Sequence, residues 1–253
     1  MATKIKQIID TKGTDTLLFS SWLSAEGISR AEQAAYVQSG WLEKVAHGVY
    51  KVAGANVSLF SAISAYNTQL DKQCIIGAET ALEIRGYSHY VPMGKPLAFL
   101  FTEAHAKLPR WFQTTKWDRT LRYHTISLWA DGSLGLEQRE EGGRTLLISS
   151  PERAIMECLN RSYVAQTLMD TYYIMEMLTT LRPMLVQQLL EQCSSVKVKR
   201  LFLYLAEKAN HPWFKAIDTN NVNLGSGRRM ISPTGKFVSK YNITIPTEVY
   251  NYV

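Results

Sequence analysis

Apolar residues at Ile5, Ile8 and Ile9 recur on one face of a short helix that closes near Lys12-Gly13. The run Leu17-Leu-Phe-Ser-Ser-Trp-Leu-Ser-Ala-Glu-Gly27 follows. Ser20 or Ser21 is the expected cap of a second short helix, and Gly27 the left-handed residue that ends it. Ser29-Arg-Ala-Glu32 has the spacing of a capping box, in which the Ser29 hydroxyl accepts from the Glu32 amide and the Glu32 carboxylate reaches back to the Ser29 amide. A helix is therefore predicted over 30–39, stopped by Gly40. Two strand-like runs, 41–46 and 49–52, flank the tight-turn pair His47-Gly48 and make a hairpin.

Ala53-Gly-Ala-Asn56 is a small, polar break, and it divides the expected domains into 1–54 and 55–253. Beyond it the pattern is mixed. Helical periodicity covers 59–70 and 78–84; strand-like runs cover 97–101, 121–126, 134–138 and 145–148, with turns at Asp131-Gly132 and Gly142-Gly143. Ser150-Pro-Glu152 starts a helix in three ways: a capping hydroxyl, a proline pre-set for the first helical position, and an acid at the positive end of the dipole. Ile155, Met156 and Leu159 continue its apolar face. Further helices are predicted over 165–180, 184–193 and 196–209, and strand-like runs over 229–232 and 237–245. The expected class is α+β: an N-terminal winged helix-turn-helix followed by a larger, mixed α/β C-terminal domain.

Helix, glycine turn, capped helix and hairpin is the order of a winged helix-turn-helix, whose second helix enters the DNA major groove. Here that helix is 29–39, headed by Ser29. Ala31, Ala34 and Val37 are assigned to its inner face, and Arg30, Gln33 and Tyr36, three apart, to its outer face. Arginine and glutamine suit guanine and adenine edges, and a tyrosine hydroxyl suits a phosphate. Lys44, His47 and Lys51 on the hairpin add backbone contacts. The competing reading is an ordinary solvated helix face, because the same fold also serves protein contacts. His47 also fits a plain turn residue.

Charge shifts the emphasis. The chain carries +6 overall, but 1–54 holds six Lys/Arg against five Asp/Glu, whereas 190–253 holds nine against four. A helix over 196–209 would line up Lys197, Arg200, Tyr204 and Lys208 at spacings of three and four. Arg228 and Arg229 follow Gly225-Ser-Gly227, a turn able to lay its amides near a phosphate. This secondary basic face, Lys197, Arg200, Lys208, Arg228 and Arg229, extends a DNA footprint, meets an acidic partner or bound RNA, or is a solvated stripe. A smaller excess runs from Lys107 to Arg122.

No apolar run approaches the roughly 20 residues of a membrane helix. The first ten residues lack the apolar core of a secretory signal, and three widely spaced cysteines describe neither a disulfide framework nor a metal knuckle. A cytoplasmic protein is expected. There is no GxxxxGK[ST] loop, and Gly132-Ser-Leu-Gly135 lacks the glycine spacing of a serine elbow. The histidines at 47, 89, 105, 124 and 211 form no metal-ligand pair, and His89, between Tyr87 and Tyr90, reads as structural. Catalytic residues, metal and cofactor are all expected to be absent.

The N-terminal runs Leu17-Leu-Phe-Ser-Ser-Trp-Leu23, Gly27-Ile-Ser-Arg30, Tyr36-Val-Gln-Ser-Gly-Trp-Leu-Glu43 and Gly48-Val-Tyr50 resemble the N-terminal domain of AbiEi-family antitoxins. Matches continue at Gly77-Ala-Glu-Thr-Ala-Leu82, Gly86-Tyr-Ser-His-Tyr90, Ser150-Pro-Glu-Arg-Ala-Ile155, Lys197-Val-Lys-Arg-Leu-Phe-Leu203, Leu224-Gly-Ser-Gly-Arg-Arg229 and Tyr241-Asn-Ile-Thr-Ile-Pro246. The resemblance implies an antitoxin of a bacterial type IV abortive-infection pair, binding double-stranded DNA at inverted repeats upstream of its own operon. It implies a nucleotidyltransferase-like toxin as functional partner, with or without stable contact. A monomer in solution is expected. Two other readings stay open: a nuclease-like enzyme delivered to DNA by the winged helix, and a protein-interaction module that only borrows the fold.

Overall fold

The computed structural model describes residues 4–88, 94–103, 106–162 and 165–252. The chain forms two compact units, each assembled from separate stretches of sequence. The first comprises Met1–Ile75, Gly94–His124 and Gln138–Leu147; the second comprises Ile76–Met93, Thr125–Glu137 and Ile148–Val253. The architecture is mixed α/β.

The first unit opens with α1 (Lys4–Lys12), β1 (Leu17–Phe19), α2 (Ser20–Ala25), α3 (Arg30–Gln38), β2 (Leu42–Ala46) and β3 (Val49–Val52). The strands make one antiparallel sheet in the order β1-β3-β2, with Leu17 opposite Lys51 and Leu42 opposite Val52. Ile5, Leu18, Leu23, Ile28 and Leu42 are its buried centre, and Ile8, Ile9, Trp22, Tyr36, Val37 and Tyr50 pack around them. This is a winged helix-turn-helix in full. Strand β1 was hidden in the sequence because three consecutive apolar residues run straight into a helix and show no alternation. The expected cap is corrected as well: α2 is preceded by Phe19 with no side-chain cap, and Ser20 is already helical.

Then come α4 (Leu59–Leu70), β4 (Ile75–Ile76), α5 (Ala78–Ile84), β5 (Leu97–Glu103), α6 (Arg110–Thr114) and β6 (Thr120–Ile126). In the first unit α4 packs on β1: the Gln69 side chain donates to Leu17 O (2.7 Å) and accepts from Phe19 N (3.0 Å), closing that strand's open edge. Asp118 accepts from Leu59 N (2.7 Å) at the start of α4. Phe19, Tyr66, Trp111, Phe112 and Trp117 meet in edge-on or tilted ring pairs, a core use of these aromatics.

The chain continues through β7 (Leu136–Glu141), β8 (Arg144–Ser149), α7 (Pro151–Arg161), α8 (Ala165–Met177), α9 (Pro183–Gln192), α10 (Val196–Lys208), β9 (Arg229–Met230), β10 (Lys236–Val238), β11 (Ile243–Ile245) and α11 (Thr247–Asn251). Five strands follow the order β6-β5-β4-β8-β7, and three form a small separate sheet, β10-β11-β9. The stretch expected to be strand over 237–245 breaks in the middle, where Ser239–Tyr241 is a short 3-10 turn and Asn242 adopts φ of 51°.

Helix α7 starts as its sequence dictates, with the Ser150 hydroxyl accepting from Arg153 N (3.3 Å) and proline in its first turn. Its polar residues Glu152, Arg153 and Glu157, however, are buried. The Arg153 guanidinium donates to Glu157 (2.8 Å), to Gly132 O (2.7 Å) and to Leu134 O (2.8 Å), and lies over the Trp129 ring. Glu157 also accepts from Ala78 N (2.8 Å) and Ser149 Oγ (3.0 Å), so one ion pair ties α7 to the start of α5 and to the 132–134 turn. Glu152 accepts from the Arg182 amide and guanidinium, and Arg182 and Arg85 both pair with Glu137. Burial opposes ionisation of Glu152, but the bonds from Arg182 outweigh it and hold the carboxyl below the ordinary range.

Removing one partner of the buried pair, by Arg153→Met or Glu157→Leu, is expected to lower stability by about 3–5 kcal/mol, measured by urea unfolding followed by circular dichroism. The double variant should lose clearly less than the sum of the two. Because the Glu152 pKa is depressed on folding, its contribution is fully present above the ordinary carboxylate pKa and fades as pH falls through the lowered value. Glu152→Gln should therefore cost stability at neutral pH and little at strongly acid pH, where a flat difference between the two would contradict this account.

Candidate nucleic-acid interface

Helix α3 is anchored by the capping box read from the sequence. Ser29 N donates to Glu32 (2.7 Å), and the Ser29 hydroxyl accepts from Glu32 N (3.3 Å). Lys4 on α1 adds bonds to Glu32 (3.2 Å) and to Gly27 O (2.7 Å). The Ser29 amide, then its hydroxyl, then Lys4 hold the Glu32 carboxyl below its ordinary range. The acid in the first turn is thus matched by a cation from α1.

The rotation of α3 differs from the sequence expectation. Gln33, expected on the outer face, is 1% exposed. It accepts from Ser20 Oγ (2.6 Å) and donates to Ser20 O (3.2 Å), Ser24 Oγ (3.2 Å) and Ile28 O (3.0 Å). One amide thus stitches α3 to α2 and to the intervening turn. Tyr36 is half-buried against the core beside Val37, whereas Ala31, Ala34 and Ala35 are exposed with Arg30 and Gln38. Hydrophobic counting failed here because alanine contributes little to an apolar face and a fully bonded glutamine can sit inside one. Gln38 was missed for that reason; placing Gln33 inward brings it out.

On the hairpin, Lys44 and His47 are exposed. Lys51 is partly committed, to Ala55 O (3.0 Å) and Glu43 (3.2 Å). The outward set is therefore Ser29, Arg30, Ala31, Ala34, Ala35 and Gln38, flanked by Lys44 and His47, and it includes neither Gln33 nor the Tyr36 ring as a free group.

The secondary basic face is also corrected. Arg200 is 2% exposed and donates to the carbonyls of Leu224 (2.9 Å), Gly225 (3.1 Å), Gly227 (2.7 Å) and Asn242 (2.9 Å). Burial, and next the charge of Arg229, pull it below the usual guanidinium range. Lys197 reaches Asn160 O (2.9 Å), and Lys208 reaches the carbonyls of Tyr250 and Tyr252. The stripe on α10 thus holds other segments in place, because long cationic side chains satisfy carbonyls where no amide can reach. Only Arg228 and Arg229 of the predicted set stand exposed.

Among the described residues no three His, Cys, Asp or Glu are grouped as a metal site, and no helix is long and apolar enough to cross a membrane. His89 and His105 lie outside the described residues.

Gln33→Ala strands a hydroxyl and a buried carbonyl, each worth about 1–3 kcal/mol when unpaired, so the winged helix should melt markedly earlier. Gln38→Ala, on the open face, should shift stability by no more than about 0.5 kcal/mol. Thermal unfolding of the two variants decides between this rotation and the one read from the sequence.

Two family models match the chain. Residues 1–93 match the transcriptional regulator, AbiEi antitoxin N-terminal domain, and residues 95–246 match the transcriptional regulator, AbiEi antitoxin, type IV TA system. No curated protein matches. Among solved structures, the crystal structure of RV2827C protein from Mycobacterium tuberculosis shares the fold, with a TM-score of 0.64 at 12% identity over 97% of this chain and 92% of that one. With models of both domains matched along nearly its entire length, the chain belongs to the AbiEi family of transcriptional-regulator antitoxins of type IV toxin–antitoxin systems.

Proposed function

We propose that this antitoxin represses its own operon by laying α3 in the major groove at upstream inverted repeats, with residues 1–54 as the reading module. The remaining residues, 55–253, neutralise a nucleotidyltransferase-like toxin, and the pair acts in abortive infection of phage-infected cells. The observation that carries the DNA reading is the outer face of α3. It is capped by Ser29, braced from behind by Gln33, and its exposed polar side chains, Arg30 and Gln38, have no hydrogen-bond partner among the described residues. Three exposed alanines let the helix approach base edges closely and suit thymine methyl groups; Arg30 suits guanine and Gln38 suits adenine. Lys44 and His47 on the wing suit flanking phosphates. The family's description as a transcriptional regulator supports the same reading.

Fluorescence anisotropy against the upstream repeats and a random duplex tests it. Arg30→Ala and Gln38→Ala should each remove roughly 1–3 kcal/mol of discrimination. Lys44→Ala should weaken both duplexes alike and reduce the salt slope by about one. Equal affinity of the parent chain for the two duplexes would sink the repressor reading. In cells carrying the toxin, the Arg30→Ala, Gln38→Ala double variant should derepress a promoter reporter yet still restore growth. Loss of both together would place neutralisation in the winged helix instead.

A further inference from the structure

Between Asp218 and Glu248 the chain has no acidic residue and four cations, Arg228, Arg229, Lys236 and Lys240. This segment contains the small sheet β10-β11-β9 and the loop that leads into it. Thr244 in the central strand is opposite both Met230 and Phe237, so the three side chains share one face. The two-residue period of a strand puts Arg228 on that face too. Its Nε donates to the Thr244 hydroxyl (2.9 Å), and its guanidinium lies 4.3 Å from the centre of the Phe237 ring. Arg228 is thereby held over the ring by two contacts, with no carboxylate partner among the described residues. Phe237 and Met230 beside it are 45% and 62% exposed, large apolar groups that a closed surface would cover.

The loop behind this platform is held by Arg200. That buried guanidinium takes the Gly225 and Gly227 carbonyls, and a planar trans peptide points its N–H opposite to its C=O. The amides of Ser226 and Arg228 therefore point away from Arg200, towards the exposed side of the loop, and neither has a hydrogen-bond partner among the described residues. Left-handed φ at Gly225 (63°) and Gly227 (75°) allows this alternation. No carboxylate pairs with Arg200 among the described residues, so its charge adds to the potential of the loop.

Lys240 of this segment pairs with Glu207, but Arg200 and Arg228 have no carboxylate partner among the described residues. Outward amides, these two cations and a planar guanidinium over an aromatic ring make two recognition elements side by side: one for a phosphate, one for the face of a planar base. A duplex hides its base faces and has no use for the second. We infer that the loop 224–228 and the outer face of β9 and β10 bind an unpaired nucleotide of single-stranded nucleic acid, its phosphate on the Ser226 and Arg228 amides and its base over Arg228 and Met230. This site uses no residue of α3 and does not depend on the repressor reading.

The test uses the full chain and fluorescein-labelled single strands of RNA and of DNA of about 12 nucleotides, with a duplex of the same length as control. The parent should bind one or both single strands, and Phe237→Ala should weaken that binding about tenfold, with Phe237→Tyr retaining it. Arg228→Lys keeps the charge but loses the flat fork, so it should weaken single strands about tenfold and leave the duplex unchanged. Arg30→Ala should leave single-strand affinity unchanged, which separates this site from α3. Circular dichroism melting establishes that each variant is folded. The inference is overturned by a parent that does not bind single strands, by unchanged affinity in folded Phe237→Ala and Arg228→Lys, or by equal losses on single strand and duplex.

Discussion

Arg153 is almost wholly enclosed, and a guanidinium in that position must find a partner for its charge and its N–H groups inside the protein. It finds them in Glu157, in two carbonyls of the 132–134 turn and in the face of Trp129. Glu157 in turn holds the first amide of α5, where Ala78 adopts a left-handed backbone that an L-residue takes only at some cost. The second unit is built round this pair. It joins segments far apart in sequence, and the adjoining Glu152–Arg182–Glu137–Arg85 chain of charges extends the same logic to the start of α9. Such a network brings less net stability than its short distances suggest, because desolvation offsets much of the attraction. It defines one arrangement, since every alternative leaves a charge unpaired.

Gln33 and Arg200 apply that constraint at smaller scale. Gln33 fixes the angle between α2 and α3 by satisfying a hydroxyl, a carbonyl and a turn together. Arg200 gathers four carbonyls into one point and thereby sets the path of the loop before β9. In both places the polar group first picked out as a ligand contact is the support, and the group it supports is the exposed one. Gln33 braces the face that carries Arg30 and Gln38. Arg200 braces the loop that presents Arg228.

Function in this molecule therefore rests on what the internal polar framework leaves uncommitted. The outer face of α3 is small and nearly unencumbered, a surface suited to close approach along a groove. The face of the β10-β11-β9 sheet is different in kind, with a fixed guanidinium between two exposed apolar side chains. The module that carries α3 is close to neutral, and the excess of cations lies in the last quarter of the chain. The division follows from the distribution of Lys and Arg more than from their total.

Local rules were enough for much of this. The capping box at Ser29, the Ser150-Pro151 helix start, the glycine at the end of α2 and the hairpin at His47-Gly48 all depend on residues within a few positions of one another. The family was legible because its motifs recur along the chain in a set order, some of them these same local signals. Strand β1, the rotation of α3 and the inward turn of the α10 cations were not legible. Each is decided by partners outside the local motif: Gln69 for β1, Gly225 and Asn242 for Arg200, and for Gln33 the Ser20 and Ile28 groups of the preceding helix and turn. Sequence by itself determined which helices and hairpins form. Only the tertiary structure decided which of their polar side chains face water, because a polar group is buried when distant atoms satisfy its hydrogen bonds, and its own periodicity carries no record of them.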